Sequence, residues 1–295
     1  MITGKTSLVG LLGQPVNHSL SPIIHNSAFQ EMGLDWCYLA IPCENDDLES
    51  VTKALRLMNC KGLNITIPHK QKILNVCQNL TSVAKEIKAV NTLIPSNNSQ
   101  WTGANTDVEG FLTPLKDKKL KNKNVVVIGC GGSARAVVMA LNMLNFERIT
   151  IFGRNEQKLN VFIKDMNNLP STLKKDGSQI HGIFEKSNFA PYIEDATLII
   201  NTTPVGMSNK KLKKQEMPLG EEIWNNLSKN TILYDLIYTP RPTKWLKLGK
   251  KKNCIAIDGL EMLVHQGALS LKLWSGLDDI PIEIMKLSAK KHLMN

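Results

Sequence analysis

Two hydrophobic patterns alternate along the chain: short continuous apolar runs, and longer stretches whose apolar residues recur with helical spacing. Residues 125–128 are four β-branched residues in a row, which is typical of a strand buried on both faces. The following stretch, 134–144, has the apolar spacing of a helix. Because this alternation recurs in both halves, the sequence predicts an α/β protein, with a parallel, doubly wound sheet in the second half.

A glycine-rich turn joins that strand to that helix. Its spacing is Gly129-x-Gly131-x-x-Ala134, which matches the turn of a dinucleotide-binding βαβ unit. Gly129 permits the tight turn, Gly131 lets a pyrophosphate approach the backbone, and Ala134 lets the helix pack closely on the strand. Such turns also occur without a ligand, so the flanking strand and helix carry much of this prediction.

The next strand, residues 148–152, ends at Gly153-Arg154-Asn155. A site for NAD would place Asp or Glu there to bind the ribose 2′-hydroxyl, whereas arginine suits the 2′-phosphate of NADP. Arg154 is the first charged residue after the strand, and Lys158 follows four positions later. A solvated arginine is the alternative, and Glu156 lies nearby, but the pattern favours NADP over NAD.

Composition and charge narrow the class of protein. The 295 residues, with 42% hydrophobic and 21% charged residues, are typical of a globular protein with about two domains. The first apolar run is too short for a signal peptide, and none approaches the length of a membrane span, so we expect no membrane association. Six scattered cysteines without metal-ligand spacing predict no metal site and a reducing, cytoplasmic location.

The net charge of +10 also fits a nucleic-acid-binding protein. Much of the excess lies in short lysine runs that lack interleaved aromatic residues, which is typical of a solvated surface. We therefore expect no nucleic-acid partner. The charge could still raise the local concentration of an anionic substrate and a phosphate-rich cofactor.

Polar residues stand at strand ends throughout the first third of the chain. Ser19 and Ser21 flank one residue at a strand-to-helix turn, where they could bind a carboxylate, although Ser21 could instead cap the helix. The pattern of residues 62–67 predicts a strand in which Asn64 and Thr66 share one face, followed by a helix that begins at His69-Lys70. Asp107 leads into another helix, which it could simply cap.

These motifs, taken in order over nearly the whole chain, resemble those of the shikimate dehydrogenase family. The matching segments are Asn17-His18-Ser19-Leu20-Ser21-Pro22, Asn64-Ile65-Thr66-Ile67-Pro68-His69-Lys70, Ala89-Val90-Asn91-Thr92, Asn105-Thr106-Asp107, the glycine turn, residues 201–207, Tyr234-Asp235-Leu236-Ile237-Tyr238 and residues 258–267. The family's usual Asn-Arg-Thr is Gly153-Arg154-Asn155 here, and Cys130 stands where alanine is common. The arginine of that motif is present.

The resemblance implies NADP-linked interconversion of shikimate and 3-dehydroshikimate, a step of aromatic amino-acid precursor synthesis. It implies that Lys70 and Asp107 form the catalytic pair, which suits a reaction that needs a proton carrier beside the hydride acceptor. It assigns the substrate to Ser19 and Ser21 at the carboxylate, to Asn64, Thr66, Asn91 and Asp107 at the ring hydroxyls, and to Tyr238 and Gln266, which close the pocket. It assigns the cofactor to Gly129, Cys130, Gly131, Gly132, Ser133, Ala134, Gly153, Arg154, Asn155, Lys158, Leu236 and Gly259.

The family also implies two domains with the active site in the cleft between them. Residues 1–106, completed by helices in 259–295, would form the substrate-binding catalytic domain, and residues 107–258 would form the Rossmann-type NADP-binding domain. We expect a small-molecule substrate and a monomer or homodimer.

Two alternatives stay open. An NAD-using quinate/shikimate dehydrogenase is one, but Arg154 argues against NAD, and quinate carries an extra hydroxyl beside its carboxylate, so paired serines suit shikimate better. A non-catalytic, NADP-responsive binding protein is the other. The presence of Lys70 together with Asp107 argues against it, because a sensor needs no proton-transfer pair.

Overall fold

The computed structural model describes residues 2–118, 120, 124–170, 179–184, 189–207, 216–220 and 222–294. The chain divides into two compact units: the first is Met1–Gly110 with Leu263–Asn295, and the second is Phe111–Met262. These boundaries lie four residues beyond those we expected. The shift of the boundary matters for Asp107, which we expected in the second unit. It belongs to the first unit, where its carboxylate binds Lys70 and Asn91.

The first unit contains a six-stranded mixed sheet. Its elements are β1 (Ser7–Gly13), α1 (Ser21–Glu31), β2 (Trp36–Pro42), α2 (Leu48–Leu57), β3 (Gly62–Ile65), β4 (Asn79–Leu80), α3 (Ser82–Ile87), β5 (Thr92–Ser96), β6 (Gln100–Ala104) and the start of α4 (Asp107–Leu112). The strand order is β2-β1-β3-β5-β6-β4, with β1 parallel to β2 and β3 and with β5 antiparallel to both β3 and β6. This unit is α/β as predicted, but the antiparallel β5–β6 hairpin was not predicted.

The second unit contains a six-stranded sheet that is parallel throughout. Its elements are β7 (Asn124–Ile128), α5 (Gly132–Met143), β8 (Arg148–Phe152), α6 (Glu156–Asn167), β9 (Gln179–Ile183), α7 (Ala190–Glu194), β10 (Leu198–Asn201), β11 (Ile232–Asp235), α8 (Lys244–Lys251) and β12 (Ile255–Ile257). The order β12-β11-β10-β7-β8-β9 runs outward from β7 in both directions. This confirms the doubly wound sheet, in which β7 and β10 flank the point where ligands bind.

Two C-terminal helices complete the chain, α9 (Leu260–Ser275) and α10 (Ile282–Met294). Most of α9 and all of α10 belong to the first unit. Trp274 near the end of α9 donates its indole N–H to the Leu93 carbonyl at 3.0 Å, and Gly62 leaves the space that this indole fills. Trp274 is therefore a packing residue, and it joins α9 to strands β3 and β5.

Candidate active site

Lys70 and Asp107 form a buried ion pair in the first unit. The Lys70 ammonium donates to Asp107 Oδ2 at 2.6 Å, and the two side chains are 12% and 5% exposed. Two groups 37 residues apart in sequence are thus held in direct contact away from bulk water. A lysine at a helix start is usually a surface charge, but this one is paired and largely buried.

The backbone around Lys70 departs from the expected helix. Strand β3 ends at Ile65, so Thr66 lies beyond the strand, and residues 67–71 form turns before a short 3-10 helix, Lys72–Val76. The turn is fixed by His69, whose fully buried ring lies 2.7 Å from the Cys43 carbonyl oxygen and 3.1 Å from Asn45 Oδ1. The helix expected from His69 onward is therefore a series of turns followed by the 3-10 helix.

Asn91 binds the second carboxylate oxygen of Asp107, the one that does not contact Lys70. Its Nδ2 donates to Asp107 Oδ1 at 2.8 Å, and its Oδ1 accepts the backbone N–H of Thr106 at 2.8 Å. Asp107 begins α4, but its carboxylate is turned to Lys70 and Asn91, and its own N–H donates to Asn105 Oδ1 at 3.0 Å. The capping interpretation of Asp107 is therefore wrong.

Asn64 and Gln266 join the same network. Asn64 Nδ2 lies 3.2 Å from the Asn91 carbonyl oxygen, and Asn91 Nδ2 lies 3.3 Å from Gln266 Oε1. Thr66 comes directly after β3, and its backbone N–H donates to the Leu12 carbonyl at 2.9 Å. The structure thus brings Lys70, Asp107, Asn91, Asn64 and Gln266 together through direct hydrogen bonds.

Ser19 and Ser21 follow β1. The carboxyl end of β1 lies beside the carboxyl end of β3, after which Thr66 comes. Ser21 is the first residue of α1, and the residue at the cap position is Leu20, which has no side-chain capping bond. The Ser19 hydroxyl instead donates to Ser21 Oγ at 3.1 Å. The alternative that Ser21 caps the helix is therefore wrong, and the two hydroxyls lie side by side at a helix N-terminus.

Residues that we did not single out from the sequence form a buried layer in contact with these amides. They are Tyr38, Thr92, Thr106 and Ser270, whose hydroxyls reach Asn64, Asn91 or both. One signal was available: Ser270 stands four residues after Gln266, on the same face of a helix. Nothing in the local pattern marks the other three.

The glycine turn of the second unit has the geometry that a phosphate requires. Gly129 has φ 109°, which side-chain-bearing residues rarely adopt, and a Cβ there would collide with Thr202. Gly131 precedes α5, and a Cβ at Gly131 would meet no atom of the described residues within 4 Å. An anion can therefore approach the backbone closely at Gly131. There it would meet the first N–H groups of α5, which belong to Gly132, Ser133 and Ala134.

The end of β8 lies beside this turn. The Gly129 N–H donates to the Phe152 carbonyl at 2.8 Å. At the next residue, burial raises the pKa of the Cys130 thiol, while the nearby charges of Lys158 and Arg135 act in the opposite direction. Arg154 and Lys158 are exposed, and within the described part of the chain neither side chain forms a hydrogen bond or an ion pair.

Asn155 and Gly153 have local structural roles at the same strand end. Asn155 Oδ1 accepts the Lys158 N–H at 2.9 Å and so caps α6, a role that the threonine usual in the family could also fill. Gly153 is buried, and a Cβ there would lie 3.1–3.2 Å from Leu159 and Cys130, so a side chain would require small shifts of these neighbours. The departure from the family motif therefore preserves the start of α6 and leaves Arg154 available to a ligand.

Leu236 and Gly259 lie together after β11 and β12. A Cβ at Gly259 would overlap the Leu236 carbonyl oxygen, so only glycine fits there. The loop after β11, which includes the half-buried Tyr238, is anchored by Asp235, whose carboxylate accepts from Thr243 Oγ1 at 2.8 Å. Burial raises the pKa of Asp235 to about 6, although its hydrogen bonds act in the opposite direction.

These features fit a phosphate-bearing dinucleotide: an open glycine turn, a helix N-terminus and two exposed cations at the neighbouring strand end. Among the described residues, no group of three or more His, Cys, Asp or Glu side chains could hold a metal ion. Nor does any described helix have the length and apolar character needed to cross a membrane.

A nucleotide-type turn on the doubly wound sheet of the second unit and a buried Lys–Asp pair in the first unit are the features of a dinucleotide-dependent oxidoreductase. The sequence model of the shikimate dehydrogenase substrate binding domain matches residues 11–93, and that of the shikimate 5'-dehydrogenase C-terminal domain matches residues 259–286. The shikimate dehydrogenase (NADP(+)) of Prochlorococcus marinus (strain MIT 9215) is 46% identical over 294 residues, which cover 99% of this chain and 100% of that protein. The chain belongs to the shikimate dehydrogenase family.

Solved structures agree with this assignment. A crystal structure of shikimate dehydrogenase in complex with NADP+ matches with a TM-score of 0.85 and 34% identity, covering 100% of this chain and 98% of that one. A quinate dehydrogenase from Corynebacterium glutamicum in complex with NAD matches with a TM-score of 0.83 but only 25% identity, covering 97% and 99%. The predicted fold class is confirmed.

Proposed function

We propose that this protein is an NADP-dependent shikimate dehydrogenase that interconverts shikimate and 3-dehydroshikimate. The observation that carries the proposal is the buried Lys70–Asp107 pair, surrounded by the amides of Asn64, Asn91 and Gln266 in a chain of this family. Several polar side chains that converge on one proton-transfer pair suit a small polyhydroxylated acid. The curated relative named above is a shikimate dehydrogenase that uses NADP(+).

Oxidation of a secondary alcohol removes a hydride and a proton, and the nicotinamide, when bound, accepts the hydride. The proton leaves the reacting hydroxyl for the Lys70 side chain in its amine form, and the ammonium that results later releases a proton to solvent. In the reverse direction the Lys70 ammonium donates a proton to the carbonyl oxygen and stabilises the negative charge that develops on it. Asp107 holds Lys70 in place through the 2.6 Å contact.

The remaining contacts orient the substrate. Ser19 and Ser21 offer two neighbouring hydroxyls to its carboxylate, and Asn64, Thr66 and Asn91 bind its ring hydroxyls. We assign Tyr238 and Gln266 to the substrate as well. We assign the phosphates of NADP to the glycine turn and its 2′-phosphate to Arg154 and Lys158.

The cellular setting is also a proposal. All six cysteines are free thiols, three of them buried and three half-buried, which supports a reducing cytoplasm. A monomer or homodimer stays a prediction.

The test is a four-way assay of reduced-nicotinamide absorbance, with shikimate or quinate paired with NADP or NAD at matched concentrations. Strong turnover only with shikimate and NADP is the expected result. Comparable turnover with quinate or NAD would favour the quinate/shikimate dehydrogenase instead. Silence in all four reactions, with NADP binding intact, would contradict an enzymatic function.

A further inference from the structure

Ser270 is a fully buried residue whose hydroxyl lies at the centre of the polar layer in contact with the Asn64 and Asn91 side-chain amides. Its Oγ lies 2.9 Å from Asn64 Nδ2, 2.8 Å from Thr92 Oγ1, 3.2 Å from Thr106 Oγ1 and 3.1 Å from the Gln266 carbonyl oxygen. These partners come from β3, β5, the segment after β6 and α9 itself. One oxygen atom therefore connects α9 to β3, to β5 and to the segment after β6.

The donors and acceptors around Ser270 limit how its hydroxyl is used. A hydroxyl donates one hydrogen bond and accepts two. The Asn64 amide nitrogen can only donate, so Ser270 accepts from it at 2.9 Å. The Gln266 carbonyl oxygen can only accept, so Ser270 donates to it at 3.1 Å. The Ser270 oxygen can then accept one more hydrogen bond, from Thr92 or Thr106.

Ser270 and Tyr38 hold opposite ends of the Asn64 amide. Tyr38 donates to Asn64 Oδ1 at 2.8 Å while Ser270 accepts from Nδ2, so the two ends are distinguished by their partners. Without the Ser270 hydroxyl, Asn64 Nδ2 keeps only longer contacts, at 3.2 Å to the Asn91 carbonyl and 3.3 Å to Thr92 Oγ1. The amide then loses its shortest Nδ2 contact and is held less firmly in its orientation.

We propose that Ser270 is a positioning residue that orients the Asn64 amide for the substrate. This inference rests on the proposed function, in which that amide binds a ring hydroxyl. Ser270 is fully buried and acts through Asn64. Because the amide binds the substrate before and during reaction alike, loss of its orientation weakens substrate binding more than it slows turnover.

The experiment compares Ser270→Ala with Ser275→Ala as the matched control. Ser275 lies on the same helix and makes the same type of bond to the carbonyl four residues earlier, at 2.8 Å to Leu271, but it has no contact with the amides among the described residues. For each variant, KM for shikimate, KM for NADP and kcat are measured, together with the unfolding temperature. Shikimate binding is also measured directly by calorimetry.

Ser270→Ala is expected to raise KM for shikimate about tenfold, with KM for NADP within about twofold of the wild-type value. Ser275→Ala should leave both constants unchanged. Ser270→Thr, which keeps the hydroxyl, should restore most of the shikimate affinity.

Two results would overturn the positioning role while leaving the proposed function intact: an unchanged KM for shikimate in Ser270→Ala, or an equal rise in both KM values with a lowered unfolding temperature. The second pattern is that of a residue needed only for stability. A wild-type protein without shikimate turnover would overturn the proposed function itself, and the positioning role with it.

Discussion

Replacing Lys70 by alanine tests both the energetics and the chemistry of the first unit. The variant leaves the Asp107 carboxylate, only 5% exposed, without the cation that lies 2.6 Å away. Removing one partner of a buried ion pair costs about 3–5 kcal/mol, because the remaining charge stays desolvated. The hydrogen bond from Asn91 to Asp107 Oδ1 offsets part of that cost but does not neutralise the charge.

The same substitution removes the proton carrier. Turnover should fall by about 100- to 10,000-fold, the usual contribution of a general acid or base, while NADP affinity stays nearly unchanged. The double variant Lys70→Ala/Asp107→Asn removes the buried charge, so it should recover most of the lost stability but none of the lost turnover. Stability and activity are thereby separated within one pair of residues.

Urea unfolding gives the free energies, and initial rates with shikimate and NADP give the turnover. Lys72→Ala is the matched control: Lys72 lies two residues further on, is 48% exposed and faces the exposed Asp46, so its loss should cost less than about 1 kcal/mol. If Lys70→Ala unfolded like Lys72→Ala, the ion pair would not have the burial described here. Wild-type turnover in Lys70→Ala would refute the role of Lys70 in catalysis.

Three further predictions concern other parts of the molecule. Arg154→Ala should raise KM for NADP about tenfold and leave KM for NAD almost unchanged, because only NADP has the 2′-phosphate; equal effects in steady-state assays would contradict that contact. Burial lowers the pKa of His25 to about 3, so His25 contributes a loss of stability as pH falls below 6.5, where only the unfolded state takes up the proton. His25→Phe should remove this contribution, about 2 kcal/mol between pH 8 and pH 5 in denaturant titrations, while the opposite contribution of Asp235, whose pKa is raised to about 6, stays; the same pH dependence in the variant and the wild-type protein would count against it. Gly62→Ala should destabilise the fold by about 1–3 kcal/mol by displacing Trp274, whereas Gly4→Ala, which meets no atom of the described residues within 4 Å, should unfold like the wild-type protein.

Much of the second unit could be predicted from short segments. The apolar run of β7, the glycine turn and the helical spacing of α5 are contiguous in sequence, and each is fixed by local properties: side-chain branching, backbone freedom and apolar period. Gly129 adopts the positive φ that its place in the motif requires. Asn155 caps α6 through a residue three positions later. Such features need no distant partner, so a local pattern suffices.

The first unit was predicted less completely. Its motif residues could be named from the family resemblance, but the interpretations of Ser21 and Asp107 as helix caps were wrong. A serine or aspartate at a helix start satisfies the capping pattern whether or not a stronger partner is nearby. For Asp107 the deciding partners, Lys70 and Asn91, are brought into reach by the folded chain. Ser21 instead contacts Ser19, only two residues earlier, and the turn that places them side by side is not marked by the capping pattern.

The sequence by itself determined the α/β class, the dinucleotide turn and the set of residue types that the reaction needs. Only the tertiary structure decided which of them act together. Lys70 meets Asp107 across 37 residues, and Asn64 meets Ser270 across 206. Hydrogen bonds of 2.6–3.0 Å depend on the position of every intervening strand and helix, and no local pattern records that position. The buried polar layer in contact with the amides could therefore be seen only when the chain was folded.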